Sequence, residues 1–386
     1  MEQLLRRELL ANPRYELVLF DRLSPAEREA LAGLREDPAF YGVLRPREGA
    51  AGLGVKSVDR DTALLLFTLR EPGPLPGYAL EALGASAART VARLVADGVL
   101  EVREGDGFVS GAAALALVAE ESGVRAGGRL AGLAREALRY AQALAVDDPV
   151  ALSWRIYGFN RRPVTPRWKR LLPSAEAVER HLGIERGGRN RQALDRRWQP
   201  GKRSEFWLTW HARSGRPGAA RSGGATYKLY VSPSPEALEE GFGAILGALS
   251  SSQAQQFKVG ADAAGLLRPD KIVAYFPDFD RLSEAAGRLA ERLAGLPAHG
   301  VPFTAEIAGD GLVSWGADPP ETERSPLLGG GESWRLWLTN RLAVALLAAR
   351  AGGAPKPWRF ALDRVRLEGV DTETWTPGAL LWKILP

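Results

Sequence analysis

The alternation of apolar and polar positions divides the chain into helical and stranded stretches. Up to about residue 72, apolar residues fall in short helix-like clusters, and one helix is predicted to open at Ser24, with Glu27 placed to complete a capping box. Residues 77–111 predict two short helices and then two strands around a GDG turn. Residues 112–203 are mostly helical in pattern, and LAGLAREALRYAQALAV within them predicts one amphipathic helix.

From residue 204 onwards the period changes from that of helices to that of strands. The segments FWLTWHA, TYKLYVSP, QQFKVGA and KIVAYFP predict strands, whereas SPEALEEGFGAILGALSS and DRLSEAAGRLAERLAG predict helices. The order of two strands, a helix, two strands and a helix predicts a layered sheet with mixed strand directions. We therefore predict an α+β protein with a mostly helical N-terminal half and a C-terminal mixed sheet with packed helices.

The same pattern predicts three parts of the chain. Residues 1–111 are a helical region with a winged-helix-like segment, residues 112–203 a helical, basic connecting region, and residues 204–386 an α+β domain. The winged-helix order of helix, helix and hairpin leaves three interpretations open: a DNA reader, a peptide-docking wing, or packing alone.

Acidic residues on the winged-helix-like segment count against DNA. A surface that binds the phosphate backbone must carry positive charge, because most of the affinity comes from neutralised phosphates. This segment instead carries several carboxylates, so nucleic acid is not the expected partner. They are Asp97, Glu101, Glu104 and Asp106.

Composition narrows the class of protein. The 386 residues are 45% hydrophobic and 25% charged, as in ordinary soluble globular proteins. No apolar stretch of about 18 residues is present and the N-terminus lacks the run of a secretory signal, so we expect a cytoplasmic protein with no membrane partner. The absence of cysteine excludes disulfides and thiolate zinc sites. One Met and abundant Arg and Pro suit a thermophile, or equally a GC-rich coding sequence.

The net charge of +5 is unevenly spread. Between Arg155 and Arg203, 14 lysines and arginines face only four acidic residues. Such a region attracts an anion, whether phosphate, nucleic acid or an acidic peptide, or it is a solvated helical face. Its mixture of arginines and aromatic residues can stack bases, or it can form a seam between domains in which arginine stems cover Trp and Tyr.

Lysine is rare here, since only eight of the 51 basic residues are lysines. Lysine can lose its proton near neutral pH when its surroundings disfavour charge, whereas arginine cannot. Lys258 and Lys271 lie close together in the segment SQAQQFKVGADAAGLLRPDKIVAYF. Lys258 has uncharged strand neighbours, which predicts partial burial, and Lys271 follows Arg-Pro-Asp at a strand start and is expected to be a loop charge.

Four C-terminal segments occur in a familiar order: YKLYVSPSPEAL, DKIVAYFPDFDRLSEAAGRLAERL, GVPFTAEIAGDGLVSWGADPP and SWRLWLTNRLAVALLAA. Over roughly residues 204–350 the chain resembles the Hop-type effector family, which comprises type III effectors of plant pathogens and their relatives in class V lanthipeptide and thioamitide gene clusters. The resemblance implies a lyase that eliminates phosphate from phosphoserine or phosphothreonine in a ribosomally made precursor peptide. It also implies a kinase-like phosphotransferase as partner. The winged-helix-like segment is similar in shape to leader-peptide recognition elements, which bind a peptide as an added strand.

Phosphate elimination needs a base for the α-proton, cations for the phosphate, and a donor for the charge that builds on the carbonyl. No metal is obligatory, and no cofactor is expected. Lys258 is the first candidate base, because burial and nearby arginines favour a neutral amine. The alternative is a lysine that blunts a strand edge. Lys228 in TYKLY is a competing base, or a solvent-facing strand residue.

Further candidates lie around the Gly- and Arg-rich segment 212–225. His211 can donate a proton to the departing phosphate, or it is a histidine of an aromatic cluster beside Trp207 and Trp210. Three arginines are candidate phosphate ligands, since guanidinium binds phosphate in a bidentate manner, or they belong to a merely soluble loop. They are Arg213, Arg216 and Arg221.

Three functions stay open at this point. The first is the peptide-modifying lyase, the second a non-catalytic scaffold or effector module that binds a peptide or protein, and the third a nucleic-acid binder that uses the winged helix. A lyase requires lysine, histidine and arginine side chains to converge on one cleft, whereas a scaffold would show them dispersed. The sequence contains no phosphate-binding P-loop and no GxSxG motif.

Overall fold

The computed structural model describes residues 2–34, 37–50, 54–118, 127–213, 226–319, 332–378 and 381. The helices of this part of the chain are α1 (Pro25–Ala30), α2 (Arg60–Thr68), α3 (Gly77–Leu83), α4 (Ala87–Ala96), α5 (Leu115–Val118), α6 (Arg129–Gln142), α7 (Pro149–Tyr157), α8 (Pro166–Leu171), α9 (Ala175–Leu182), α10 (Arg191–Arg197), α11 (Leu238–Ser250), α12 (Ala263–Leu266), α13 (Phe279–Arg292), α14 (Trp334–Ala351) and α15 (Pro357–Leu367). The strands are β1 (Leu9–Ala11), β2 (Tyr15–Leu19), β3 (Phe40–Pro46), β4 (Lys56–Asp59), β5 (Leu100–Glu104), β6 (Gly107–Val109), β7 (Trp198–Pro200), β8 (Trp207–Ala212), β9 (Thr226–Val231), β10 (Gln256–Gly260), β11 (Ile272–Phe276), β12 (Ala305–Ile307) and β13 (Val313–Asp318). Helices and antiparallel sheets together confirm the predicted α+β class.

The chain forms two compact units. The first takes in the described residues of Met1–Gly123 and Asn340–Gly369, and the second those of Val124–Arg324, Glu332–Thr339 and Val370–Pro386. These limits differ from the predicted boundaries at residues 111 and 203, and the three-part division of the chain stays a prediction.

The first unit contains two small antiparallel sheets. The predicted order of two helices and a hairpin at 77–111 is confirmed as α3, α4, β5 and β6, and β1 pairs with β5 on the other side. The second sheet, β2-β3-β4, was not predicted. Strands of four to seven residues contain too few repeats to separate a period of two from a helical period.

The predicted capping box at the start of α1 is present. The Ser24 hydroxyl accepts a hydrogen bond from the Glu27 backbone N–H, and the Glu27 carboxylate accepts from the Ser24 N–H at 2.9 Å. Two donors that the first helical turn leaves unpaired are thereby satisfied.

The second unit is built on a seven-stranded sheet with the order β12-β13-β9-β11-β10-β8-β7. All described pairings in it are antiparallel, so the prediction of mixed strand directions is corrected. The connection β9-α11-β10 has the strand–helix–strand order that is typical of parallel neighbours. In the fold, β11 lies between β9 and β10, which makes each adjacent pair antiparallel.

One face of this sheet forms the main hydrophobic core. Phe257 of β10, Ala274 of β11 and Leu229 of β9 are direct cross-strand neighbours and are buried with residues of α11 and α13. Because side chains alternate between the two faces of a strand, the residues between them point to the opposite face. That face carries the polar residues of the candidate site.

No described helix is both long enough and apolar enough to cross a lipid bilayer.

Candidate functional site

Two lysines and a tyrosine meet on the polar face of the sheet. Tyr275 of β11 lies opposite Gln256 of β10 on one side and Lys228 of β9 on the other. Lys258 is two residues along β10 from Gln256, and it therefore shares the same face. The strand order thus brings Lys228 and Lys258, which are 30 positions apart in the sequence, to strands on either side of Tyr275.

Lys258 is half-buried beneath aromatic rings. Its Nζ lies 4.2 Å from the ring centroid of Trp207 and 5.6 Å from that of Tyr275. Burial, followed by the charge of Lys228, lowers the pKa of Lys258 from 10.5 to about 8. A substantial fraction of this amine is therefore neutral at mildly alkaline pH and able to accept a proton.

Lys228, unlike Lys258, lies beside a carboxylate. It is buried and forms an ion pair with the Asp318 carboxylate, while its Nζ lies 5.3 Å from the Tyr275 ring centroid. Asp318 also accepts a hydrogen bond of 2.9 Å from the backbone N–H of Trp334. A paired lysine of this kind supplies fixed positive charge, which distinguishes it from Lys258.

A buried ionic cluster borders the lysines. The Asp270 carboxylate accepts hydrogen bonds from the Arg268 guanidinium, from Arg335 Nη1 and from the Tyr157 hydroxyl, all at 2.9–3.0 Å. Burial disfavours ionisation of this carboxyl, but the charges of Arg335 and Arg268 outweigh it and hold the pKa of Asp270 well below its usual range. Asp270 is therefore a permanent anion that fixes both guanidinium groups.

Arg268 keeps part of its hydrogen-bonding capacity. Its contacts with Asp270 and Tyr157 use Nε and Nη2, and Nη1 makes no hydrogen bond to a described residue. Its guanidinium carbon lies 4.9 Å from the centroid of Trp207, the ring that also covers Lys258. A rigid cation with unused N–H groups thus lies close to the candidate base, as an anion-binding site requires.

Tyrosine hydroxyls on this face are held in their protonated form. Burial, followed by the charge of Asp318, raises the pKa of both Tyr275 and Tyr230 above the usual value. These phenols are therefore hydrogen-bond donors at any physiological pH.

His211 lies on the same face, at the exposed end of β8. It pairs with Gln256, two residues along the strands from the pairing of Thr209 with Lys258. Its ring packs against Gly201, where an added Cβ would lie 2.6 Å from Nε2. His211 thus lies diagonally across the sheet from Lys258.

Of the three arginines predicted to bind phosphate, the structure describes only Arg213. Arg213 is exposed, and its Nε donates hydrogen bonds to the backbone carbonyls of Asp195 and Trp198 at 2.8 and 3.0 Å. Arg216 and Arg221 lie outside the described residues.

Lys271 is not the loop charge that the sequence analysis expects. It is fully buried, and its Nζ lies 2.9 Å from the Pro233 carbonyl oxygen and 2.9 Å from His299 Nδ1. Burial lowers the pKa of Lys271 to about 7, and burial together with the Lys271 charge lowers the pKa of His299 to about 3. The prediction is wrong because Lys271 directly precedes β11, where Pro233 and His299, from segments distant in the sequence, cover its amine.

Several residues of the site were missed by sequence reasoning. Arg268 and Asp270 flank the proline of a segment taken as a loop, and Asp318, Tyr157 and Arg335 come from distant segments. A local signal existed only for the Arg-Pro-Asp stretch, where opposite charges precede a buried strand. The others become recognisable only when the strand order is known.

Comparisons with known proteins give structural similarity alone. No family model matches the chain, and no curated protein matches its sequence. The chain is similar to an effector protein from Pseudomonas syringae pv. tomato strain DC3000, with 14% identity over 64% of this chain and 96% of that one and a TM-score of 0.40. It is also similar to an effector protein from Pseudomonas syringae pv. syringae strain 61 (14% identity, 65% and 98% covered, TM-score 0.38) and to the phosphothreonine lyase SpvC from Salmonella (13% identity, 54% and 97% covered, TM-score 0.27). Its structural neighbours therefore include bacterial effector proteins and a phosphothreonine lyase.

Proposed function

We propose that the second unit eliminates phosphate from phosphothreonine or phosphoserine and leaves a dehydroamino acid. The observation that carries this proposal is the half-buried Lys258 amine, with a pKa lowered to about 8, beside the fixed cations Lys228 and Arg268. A base next to an anion-binding site is the combination that β-elimination of phosphate requires.

In the proposed reaction the neutral Lys258 Nζ takes the α-proton of the phosphorylated residue. The electron pair of the broken C–H bond forms the double bond between Cα and Cβ. The bond between Cβ and the phosphate oxygen breaks, and its electron pair leaves with the phosphate. Lys258 then returns its proton to solvent before the next turnover.

The cations act on the phosphate and on the developing charge. Arg268 offers its unused Nη1 group to the phosphate, and Asp270 holds that guanidinium in place. Lys228 lies on the strand at the other side of β11 from Lys258, and together with the Tyr275 hydroxyl it stabilises negative charge on the substrate carbonyl.

Two further predictions belong to this proposal. His211, on the same face, protonates the departing phosphate. Arg213, Arg216 and Arg221 bind the phosphate, and for Arg213 this requires release of its hydrogen bonds to the backbone carbonyls of Asp195 and Trp198.

The proposed substrate is a ribosomally made precursor peptide, as in lanthipeptide biosynthesis. A kinase-like phosphotransferase must act first, because the lyase requires a phosphorylated side chain. The leader of the precursor docks on the helix–helix–hairpin segment at 77–111, whose edge strand β6 can accept an added strand. We propose a cytoplasmic setting for both enzymes.

Convergence favours the lyase over a scaffold. A docking module has no need for a desolvated amine, which costs folding free energy. The grouping of Lys258, Lys228 and Arg268 around Trp207 and Tyr275 is the arrangement expected of a catalytic site.

The test uses the purified full chain and a phosphothreonine peptide, followed by mass spectrometry. Elimination removes phosphoric acid and leaves an alkene, whereas hydrolysis restores threonine, so the product masses distinguish them. Lys258→Ala should abolish elimination while peptide binding persists. Lys258→Arg is the matched control, since it keeps the positive charge but cannot act as a base near neutral pH. Full activity in either variant would reject Lys258 as the base.

A further inference from the structure

A stretch of the second unit carries positive charge without any acidic residue. Residues 149–175 contain no Asp or Glu. Their six basic side chains are all exposed. These six residues, called the basic surface below, are Arg155, Arg161, Arg162, Arg167, Lys169 and Arg170.

The charge of the basic surface is not neutralised within the described part of the chain. None of its six side chains forms an ion pair with a described residue. The arginines that follow behave differently: Arg189 pairs with Glu239, Arg191 with Asp195, and Arg203 with Glu176. The basic surface therefore presents a field that an external anion can satisfy.

Backbone hydrogen bonds connect the basic surface to the edge of the candidate site. The N–H of Arg162 donates to the Leu267 carbonyl at 3.0 Å, directly before Arg268. The N–H of Ala263, at the start of α12, donates to the Leu172 carbonyl at 3.2 Å, just after α8. The stretch that carries the basic surface is thus attached at Arg162 and at Leu172 to the segment that leads into Arg268.

Exposed apolar side chains accompany these charges. Trp154 is 55% exposed, and its ring lies 5.5 Å from that of Tyr157, whose hydroxyl binds Asp270. Leu171 of α8 and Phe206 are also exposed, and the Phe206 carbonyl accepts from the N–H of Ala261. Arginine and tryptophan side by side are the residues that most often dominate the energetics of a protein interface.

We propose that the basic surface docks an acidic segment of the phosphorylated substrate, so that the enzyme selects phosphorylated residues flanked by Asp and Glu. This inference rests on the proposed lyase function and adds a substrate class to it. Carboxylates match the guanidinium groups in charge and in bidentate geometry, and Trp154 and Phe206 supply apolar contact to the same peptide. The docked segment then holds the phosphorylated residue near Arg268 and Lys258.

The experiment compares two phosphothreonine peptides that differ only in their flanks, Asp and Glu in one and Asn and Gln in the other. We expect kcat/KM of the wild-type chain to be about tenfold higher for the acidic peptide at low salt, and this difference should shrink as ionic strength rises. In the α8 variant, Arg167→Glu/Lys169→Glu/Arg170→Glu, kcat/KM for the acidic peptide should fall to the value for the neutral peptide.

A matched control reverses three exposed arginines of the first unit, Arg22→Glu, Arg28→Glu and Arg60→Glu. This control should keep the full preference for the acidic peptide. Circular dichroism verifies that both triple variants are folded. Equal kcat/KM for the two peptides in the wild-type protein would overturn the proposal, as would an equal loss in both triple variants.

A binding measurement separates this inference from the lyase function. Fluorescence anisotropy follows an unphosphorylated acidic peptide, which binds without chemistry. Binding that is lost in the α8 variant supports docking even if no peptide is ever dehydrated. If a DNA duplex binds the wild-type protein and the acidic peptide neither binds nor competes, the basic surface is a nucleic-acid site and the proposal is wrong.

Discussion

The ion pair between Lys228 and Asp318 gives a sharp test of whether Lys258 is the base. The positive charge of Lys228 lowers the pKa of Lys258, and the negative charge of Asp318 raises it. Lys228→Met should therefore raise the pKa of Lys258, since it removes the cation and leaves the Asp318 carboxylate behind. Asp318→Asn should lower it, since Lys228 is then an uncompensated cation.

The size of the shift follows from the geometry around Tyr275. The two lysine nitrogens lie 5.3 and 5.6 Å from the centroid of this ring. For a separation of about 8 Å and an effective dielectric constant of about 40, the charges interact by about 1 kcal/mol, which corresponds to about 0.7 pH unit. In the double variant Lys228→Met/Asp318→Asn, the pKa of Lys258 should lie close to its wild-type value, because the two charge effects oppose each other.

The assay is the pH dependence of kcat/KM for a phosphothreonine peptide. Activity should rise as Lys258 loses its proton, with a midpoint near pH 8 in the wild-type protein. The midpoint is independent of the height of the curve, so a lower rate in the Lys228 variant does not affect the test. Buffers of constant ionic strength keep screening the same across the series.

Two results would refute the reasoning. If neither single variant moves the midpoint, the titrating base is not Lys258 or the charges are not close to it. If both variants move it in the same direction, the shift reflects a general disturbance of the site rather than the charge of each partner.

Three further predictions concern stability. The pKa of Lys258 is about 8 in the folded chain and 10.5 in the absence of burial. Burial of its charged amine therefore destabilises the fold most below pH 8, and this destabilisation diminishes as the pH rises to about 10.5. Lys258→Met should therefore raise the free energy of unfolding at pH 7 by on the order of 1–2 kcal/mol and much less at pH 10, as measured by thermal unfolding at both values. Gly260→Ala should lower the free energy of unfolding by more than about 2 kcal/mol, because the added Cβ would lie 2.3 Å from the Gly265 carbonyl carbon. In the control Gly287→Ala in α13, the added Cβ meets no atom within 4 Å, so this variant should be neutral or more stable by up to about 1 kcal/mol. Equal urea midpoints for these two variants would contradict the close approach of the chain at Gly260. Ser24→Ala should remove the capping box and cost about 1 kcal/mol in urea unfolding, and an unchanged midpoint would show that the cap contributes nothing.

Local patterns in the sequence determined the α+β class, the capping box at Ser24, and within the second unit the strands β8 to β11 and the helices α11 and α13. Each of these depends on residues a few positions apart, where periodicity and capping are physically decided. The rarity of lysine likewise singled out Lys258 before any geometry was known. Its uncharged strand neighbours gave the expectation of burial.

Tertiary structure alone decided which charges surround that lysine. The insertion of β11 between β9 and β10 brought Tyr275 between Lys228 and Lys258, and the packing of distant segments placed Arg335 and Tyr157 on Asp270. The burial of Lys271 against His299 also depends on segments far apart in the chain. A pKa depends on desolvation and on charges within a few ångströms, and those neighbours are set by strand order rather than by sequence spacing.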